Sequence, residues 1–341
     1  MNIIFCLVSR QTMPNVLPVL MYKPEKVVLF ETPEESQSAE NLYHLFKNKN
    51  IQVERVRKLN AYDFGNLKQI IRDYLEKENN VALNITGGTK LMALAAYEAF
   101  KQSSKQIFYC DTEHKQIIHI FPDYNYEKLV TSLSIEEYLE SYGYKIISKK
   151  DDSDAKLYFQ LFDFINNNNL LRSFIKFFSQ IRKQIQFSNP KFSYHSPDKQ
   201  FSFIKEYDKY IIRYKNSNQI VINSSNFKIG DWLEYYVYYQ VKKKYNLIPY
   251  LNVKIQNNNV ENEIDLLFIK DYKLYLISCK SGRSNNQYDL YQLETLRTVT
   301  SGTFGKGVFI TANKNSNPFL KRASELKIKV LNIFSDNLEL L

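Results

Sequence analysis

Glu263, Asp265 and Lys280 are the residues of this chain best placed to do chemistry. They lie in the run Glu-Ile-Asp-Leu-Leu-Phe-Ile-Lys-Asp-Tyr-Lys-Leu-Tyr-Leu-Ile-Ser-Cys-Lys, residues 263–280. Apolar stretches 264–269 and 274–277 flank Lys270-Asp271-Tyr272-Lys273, a pattern that predicts a β-hairpin turning at Asp271 and Tyr272. With Lys270 paired to Lys273, Asp265 falls opposite Ser278 and Glu263 opposite Lys280. Alternation along a strand then puts all four polar side chains on one face. Mg²⁺ or Mn²⁺ prefers hard oxygen ligands, which Asp265 supplies together with Glu263 or with Glu234 on the preceding helix. Such an ion polarises a phosphodiester and activates water. Lys280 would position that water or stabilise charge developing on phosphorus. The Cys279 side chain points the other way, into the core.

A second constellation sits in two loops near the N-terminus. Ser9-Arg10-Gln11-Thr12-Met13-Pro14-Asn15 follows the first apolar run, and Thr86-Gly87-Gly88-Thr89-Lys90 follows the run 81–85. In open α/β sheets, ligands gather where such loops leave the carboxyl ends of the strands. Two glycines admit close backbone approach, a helix N-terminus offers free N–H groups to an anion, and Lys90 adds charge. The spacing is neither a P-loop nor a G-x-G-x-x-G dinucleotide fingerprint. A phosphate-bearing or nucleotide ligand is expected.

The elements that must hold these residues alternate up to about residue 145. Strands are expected at 2–8, 26–30, 51–55, 81–85, 106–110 and 116–121, and helices at 16–20, 36–47, 63–77 and 91–102. That order predicts a Rossmann-like, mostly parallel sheet covered on both faces. A helical stretch over 156–186, broken at 166–169, and three short strands over 201–222 read as a connector. From 228 onward, helix, hairpin, helix and strand predict a compact mixed α/β unit. The expected division is 1–147, 148–225 and 226–341. The fold class is α/β, a Rossmann-like domain plus a restriction-endonuclease-like domain.

Charge is uneven. Residues 1–150 hold 19 Lys and Arg against 18 Asp and Glu, whereas 151–341 hold 27 against 18. The basic half points to a polyanionic partner, most simply nucleic acid. Cys6, Cys110 and Cys279 lie in apolar runs and are odd in number, which suggests buried, reduced thiols in a cytoplasmic protein. No apolar run reaches the ~20 residues of a membrane span, and no secretory leader is evident. The four histidines are scattered, with His195 expected in a polar loop.

On these residues the chain resembles the ancillary nucleases of type III CRISPR systems, which join an N-terminal CARF domain (CRISPR-associated Rossmann fold) to a C-terminal PD-(D/E)xK nuclease domain. Ser9–Asn15 and Asn84-Ile85-Thr86-Gly87-Gly88-Thr89-Lys90 match the two CARF ligand motifs. Glu263-Ile264-Asp265 and Ile277-Ser278-Cys279-Lys280 match the catalytic hairpin, and 289–296 the helix after it. The resemblance implies a homodimer whose paired CARF domains bind a cyclic oligoadenylate, usually cyclic tetra-adenylate. Binding would activate metal-dependent cleavage of single-stranded RNA or DNA. Ser278 departs from the family pattern by standing where an acid is usual. Glu263 could replace that acid, with Glu234 and the backbone carbonyl of Cys279 completing the metal shell. Two rival readings stay open: a degenerate nuclease domain that only senses or binds, and an unregulated repair- or restriction-type nuclease.

Overall fold

The computed structural model describes residues 1–185, 189–215, 218–223, 228–282, 286–334 and 339. The expected boundary at 225/226 and the expected helix end at Gln186 lie outside them.

The first sheet has seven strands in the order β3-β2-β1-β4-β5-β6-β7: β1 (Ile3–Leu7), β2 (Lys26–Phe30), β3 (Gln52–Val56), β4 (Val81–Asn84), β5 (Gln106–Asp111), β6 (Gln116–Phe121) and β7 (Asn125–Lys128). The first five are parallel, and β6 and β7 return antiparallel. All of β1 is buried because helices cover both faces. Ile4 and Cys6 face α1 (Met13–Tyr22) and α2 (Ser36–Asn48). Ile3, Phe5 and Leu7 face α3 (Phe64–Leu75) and α4 (Lys90–Gln102). Chain order reverses between β1 and β4, which opens a crevice between the loops that follow them.

After α5 (Ile135–Ser141) comes β8 (Lys145–Lys150), which does not extend the first sheet. It is an edge of a six-stranded mixed sheet, β17-β16-β15-β14-β13-β8, built otherwise from β13 (Tyr250–Asn257), β14 (Val260–Lys270), β15 (Lys273–Lys280), β16 (Lys306–Thr311) and β17 (Ile328–Asn332). The expected division at residue 147 therefore falls inside a strand of the second sheet. Helices α6 (Ser153–Leu157), α7 (Phe159–Asn167) and α8 (Leu171–Gln184) follow, then a four-stranded antiparallel sheet of β9 (Lys191–His195), β10 (Phe201–Glu206), β11 (Lys209–Tyr214) and β12 (Asn218–Asn223). His195 ends β9 and is not in a loop.

Helix α9 (Trp232–Tyr245) packs on one face of the six-stranded sheet, where Leu233 and Val237 meet Leu266, Ile277 and Val308. Helices α10 (Gln287–Ser301) and α11 (Asn317–Glu325) cover the other, with Leu290, Leu293 and Phe319 against Leu276 and Phe309. That second core is continuous with Val16, Leu42 and Tyr138 of the N-terminal domain. The two enzyme-sized units thus share buried apolar surface and are not beads on a tether.

Candidate functional site

The hairpin turns as its sequence requires. Lys270 pairs with Lys273, and the ladder continues to Leu266 opposite Ile277. Asp271 and Tyr272 have φ of 52° and 59°, the left-handed pair of a two-residue type I′ turn. The regular ladder stops at Asp265. On the other side, β13 pairs Leu251 with Leu266 and Val253 with Ile264, but Asn252, at φ 47°, drops out opposite Asp265. Simple alternation would put Ile264 and Leu266 on one face. Instead Leu251 and Leu266 enter the α9 core, while Val253 and Ile264 enter the α10 core. The sheet kinks at the Asn252–Asp265 level, and the expected four-residue polar face is broken there.

This kink frees Asp265 to turn toward β15, where the Cys279 N–H donates to its Oδ2 at 2.6 Å. Burial raises the Asp265 carboxyl, whereas the Cys279 N–H, the Lys280 ammonium and the Ser278 hydroxyl favour its charged form. Glu234, on α9, is pushed up to about 8 by burial and by the charges of Asp265 and Asp231, partly offset by a hydrogen bond with Asn252 and by Lys150. Its Oε2 is buried without a hydrogen-bond partner. Behind it, Lys150 Nζ of β8 lies 3.0 Å from Asp231 Oδ2 and also bonds the Tyr235 hydroxyl. Lys280 Nζ is 3.7 Å from Asp289 Oδ1 at the start of α10.

Two of the expected hairpin placements change. Glu263 is exposed and sits across from Lys254 of β13, because the kink carries the end of β14 away from β15. Lys280, expected opposite Glu263, has Asp289 beside it instead. Sequence reasoning gave no role to Asp231, Lys150 and Asn252, since their contacts cross between separate elements. Only Asp231, three residues before Glu234 on the same helix start, left a local signal.

A divalent ion fits this pair of acids. A buried carboxylate oxygen with no donor, beside a second, half-buried carboxylate whose charge acts on it, is relieved by a cation between them. Glu234 and Asp265 would supply the oxygens, with the Cys279 carbonyl as the third group expected from sequence. Among the described residues no cluster of three or more His, Cys, Asp or Glu side chains is set to hold a metal. Ser278 offers a hydroxyl in place of a carboxylate, and Glu263 is exposed across from Lys254 while its charge still acts on Asp265.

In the N-terminal crevice, the residues expected at a ligand divide into two groups. Asn84 and Asn15 are fully buried and hold the loops to each other. Asn84 Nδ2 donates to the Pro14 carbonyl at 2.8 Å and to Asn15 Oδ1 at 3.0 Å, and Asn15 Nδ2 donates to the Leu7 carbonyl at 2.9 Å. Thr12 is buried, its hydroxyl 2.9 Å from that of Ser141 on α5. Thr86 donates to Asn84 Oδ1 at 2.6 Å and accepts the Cys110 N–H at 2.7 Å. Buried Thr12, Asn15 and Asn84 and half-buried Thr86 tie the crevice loops together, because polar groups enclosed here need partners inside the protein. Gln11 faces the second domain, its Oε1 accepting the Thr303 N–H at 3.0 Å.

The remaining groups can meet a ligand. Ser9 is half-buried and donates to the Gln11 carbonyl, and Arg10 is exposed, 3.5 Å from Glu35. Gly87 lies so close to β1 that a Cβ there would stand 1.9 Å from the Leu7 carbonyl oxygen, and Gly88 has φ 71°. Thr89 caps α4 by accepting the Met92 N–H at 3.2 Å, and Lys90 is exposed at the helix start. Backbone N–H groups, the α4 N-terminus and Lys90 border the crevice, with Arg10 on its exposed first loop, and groups of this kind suit phosphates.

A Rossmann-like crevice of this kind, fused to an α/β sheet with paired acids and a lysine at its kinked hairpin, defines a ligand-sensing domain joined to a restriction-endonuclease-like domain. Residues 3–138 match the Card1 CARF domain, and residues 223–339 match the Card1-like endonuclease domain. The chain therefore belongs to the type III CRISPR ancillary nuclease family, with a CARF domain before its endonuclease domain. Among solved structures it is similar to Can2 from Sulfobacillus thermosulfidooxidans in complex with cyclic tetra-adenylate. The two share 24% identity, with 97% of this chain and 93% of that one covered and a TM-score of 0.76. Protein VC1899 from Vibrio cholerae follows at 20% identity, with the same coverage and a TM-score of 0.75. A type III CRISPR defence DNA nuclease activated by cyclic oligoadenylate matches at 16% identity, over 99% of this chain and 50% of that one, with a TM-score of 0.60. A comparison with curated proteins finds no match. Among the described residues no helix is long and apolar enough to cross a membrane.

Proposed function

We propose that this protein is an endonuclease that cuts single-stranded RNA or DNA with Mn²⁺ or Mg²⁺ when a cyclic oligoadenylate, cyclic tetra-adenylate by preference, occupies the CARF crevice of a homodimer. The observation that carries the reading is the buried, unpartnered Oε2 of Glu234 beside Asp265, at the end of the strand that presents Lys280. The two family matches and the cyclic tetra-adenylate held by Can2 support the activator class. A ring with two-fold symmetry suits a two-fold dimer axis, since each subunit offers identical loops to identical halves.

Each residue then has a task. Asp265 is held in one orientation by the Cys279 N–H on its Oδ2 and by the Ser278 hydroxyl, near enough to Glu234 for its charge to act on it. Lys280, half-exposed at the mouth, meets the phosphodiester and stabilises charge building on its oxygens. Asp289 keeps that ammonium near the strand end, and Lys150 offsets Asp231 so that the acids are not left as an uncompensated cluster. The ion would polarise the phosphodiester and lower the pKa of water.

Asp265→Asn and Lys280→Ala should each reduce activated cleavage by at least about 10²-fold, with binding of labelled cyclic tetra-adenylate unchanged. Cleavage equal with and without every cyclic oligoadenylate would refute the gating. The presence of Ser278 favours one rival, a nuclease fold that binds without cutting. Incubating RNA and DNA single strands with Mn²⁺ and saturating ring decides between the two, because only an active site yields fragments.

A further inference from the structure

We propose that the groove between α8 and the ends of β15 and β16 is the track that feeds a single strand to the acid site by gripping its phosphodiester backbone, an inference that rests on the nuclease reading above. The groove encloses about 1620 Å³. One face of α8 is buried through Phe174, Phe177, Phe178 and Ile181. The opposite face exposes Arg172, Lys176, Ser179 and Lys183, spaced i, i+4, i+7 and i+11, which is a single stripe along the helix. At 1.5 Å per residue the stripe runs about 16 Å, long enough to follow several nucleotides.

The groove is continuous with the site. Ser281 and Gly282 form part of its wall and directly follow Lys280, while Trp232 lies in it two residues before Glu234. Arg182 lies against this strand end, its Nη1 2.9 Å from where a Cβ of Gly282 would stand. Lys314, in the loop after β16, adds a cation from the far side.

Its charge is unbalanced. Arg172, Lys176, Arg182, Lys183 and Lys314 have no carboxylate partner among the described residues. Asp198 is the one acid among the described lining residues, and it is engaged by the Ser173 and Ser196 hydroxyls and the Gln200 N–H. Five cations gathered around one groove repel one another unless an anion lies between them. A phosphodiester chain is the anion of matching length, and a single stripe serves a single backbone. Connector helix α8 thereby acquires a task that its sequence did not disclose.

The test uses the full-length chain carrying Asp265→Asn, so that strands bind without being cut, with Lys176→Glu and Lys183→Glu added together. Binding of fluorescent single-stranded RNA and DNA of equal length is followed by anisotropy across a salt series with saturating cyclic tetra-adenylate. Affinity should fall at least tenfold for the strand type the parent binds best. The slope of log affinity against log salt should become shallower by about 1.4, two phosphate contacts at ~0.7 each. Ring affinity and Tm should stay as in the parent, and the Lys→Ala pair is read in place of the Glu pair if Tm drops. Unchanged strand affinity and slope overturn the track while leaving the nuclease reading intact. If the parent binds neither strand and the wild-type chain cuts neither, the nuclease reading itself has failed.

Discussion

Burial and the neighbouring carboxylates of Asp265 and Asp231 push Glu234 up to about 8, well above an ordinary glutamate. The sign of the consequence follows from linkage. Its folded-state value lies above the unfolded one, so folding favours the protonated form. That contribution is full below about pH 4.5 and is lost as pH rises through about 8. Metal-free protein, held in chelator, should therefore lose Tm between about pH 4.5 and about pH 8 and level off above. Glu234→Gln, which cannot ionise, should flatten that decline while removing cleavage at every pH. Thermal scans of both proteins at matched ionic strength check this, and parallel declines would mean that Glu234 is not the group responsible. Added Mn²⁺ should restore Tm in the wild type at high pH and leave the Gln variant unmoved, because only the ionised acid binds the ion. Cys279, whose side chain sits in the α9 core, is a thiol raised by burial and by the neighbouring carboxylates of Asp265 and Glu234, and it belongs to packing.

Elements rather than single residues decide whether the crevice exists. At Gly87 the loop after β4 passes directly over the end of β1, and an added methyl would meet the backbone oxygen of Leu7, which no rotamer change can move. Gly87→Ala should cost about 1–3 kcal/mol and abolish ring binding together with activation. Gly65→Ala, in α3 with open space around its Cβ, should leave both unchanged. Calorimetric ring titration and thermal unfolding of the pair separate a specific loop effect from general damage to the domain. The same contrast explains what could be read from sequence. The hairpin and its turn were legible because a period of two and a two-residue connection leave only one register. The alternating helices and strands of the CARF domain were legible for the same local reason. The kink at Asn252 and Asp265 was not, since an asparagine at positive φ looks like any other until its strand partner is known. Nor was the placement of β8 in the nuclease sheet, or Lys150 beside Asp231, which joins residues 81 positions apart. Thr12, Asn15, Asn84 and Thr86 are residue types that bind ligands well. The same donors and acceptors serve equally to close a loop on itself, and it is the burial of Thr12, Asn15 and Asn84 that marks this second use.

At the scale of the whole molecule, the two domains are joined by more than their shared core. Lys115 of the N-terminal domain reaches Asp271 at the hairpin turn at 2.8 Å, and the Tyr272 hydroxyl donates to the Leu129 carbonyl at 3.1 Å and accepts the Thr131 N–H. The far end of the strand pair that carries Asp265 and Lys280 is thus pinned to the CARF sheet. Gln11 supplies a second strut. It lies between the exposed Arg10 and buried Thr12 of the first crevice loop, and its Oε1 takes both the N–H and the hydroxyl of Thr303 just beyond α10. Helix α10 begins near Asp289, the neighbour of Lys280. A ring that shifted the Ser9–Thr12 loop would therefore pull on the helix whose Asp289 stands beside Lys280. Allosteric activation requires that the ring favour one arrangement of this linkage over the other. Gln11→Ala deletes the strut while sparing Lys90 and the Gly87-Gly88 turn. Ring occupancy, measured by calorimetry, should change little, whereas the cleavage rate at full occupancy should fall by roughly 2–30-fold, the span of a 0.5–2 kcal/mol coupling. Lys90→Ala should do the opposite, weakening ring affinity while leaving the rate at saturation intact. If Gln11→Ala lowers occupancy and rate in strict proportion, Gln11 is a ligand contact and the signal travels through the hairpin turn at Asp271 and Tyr272 instead.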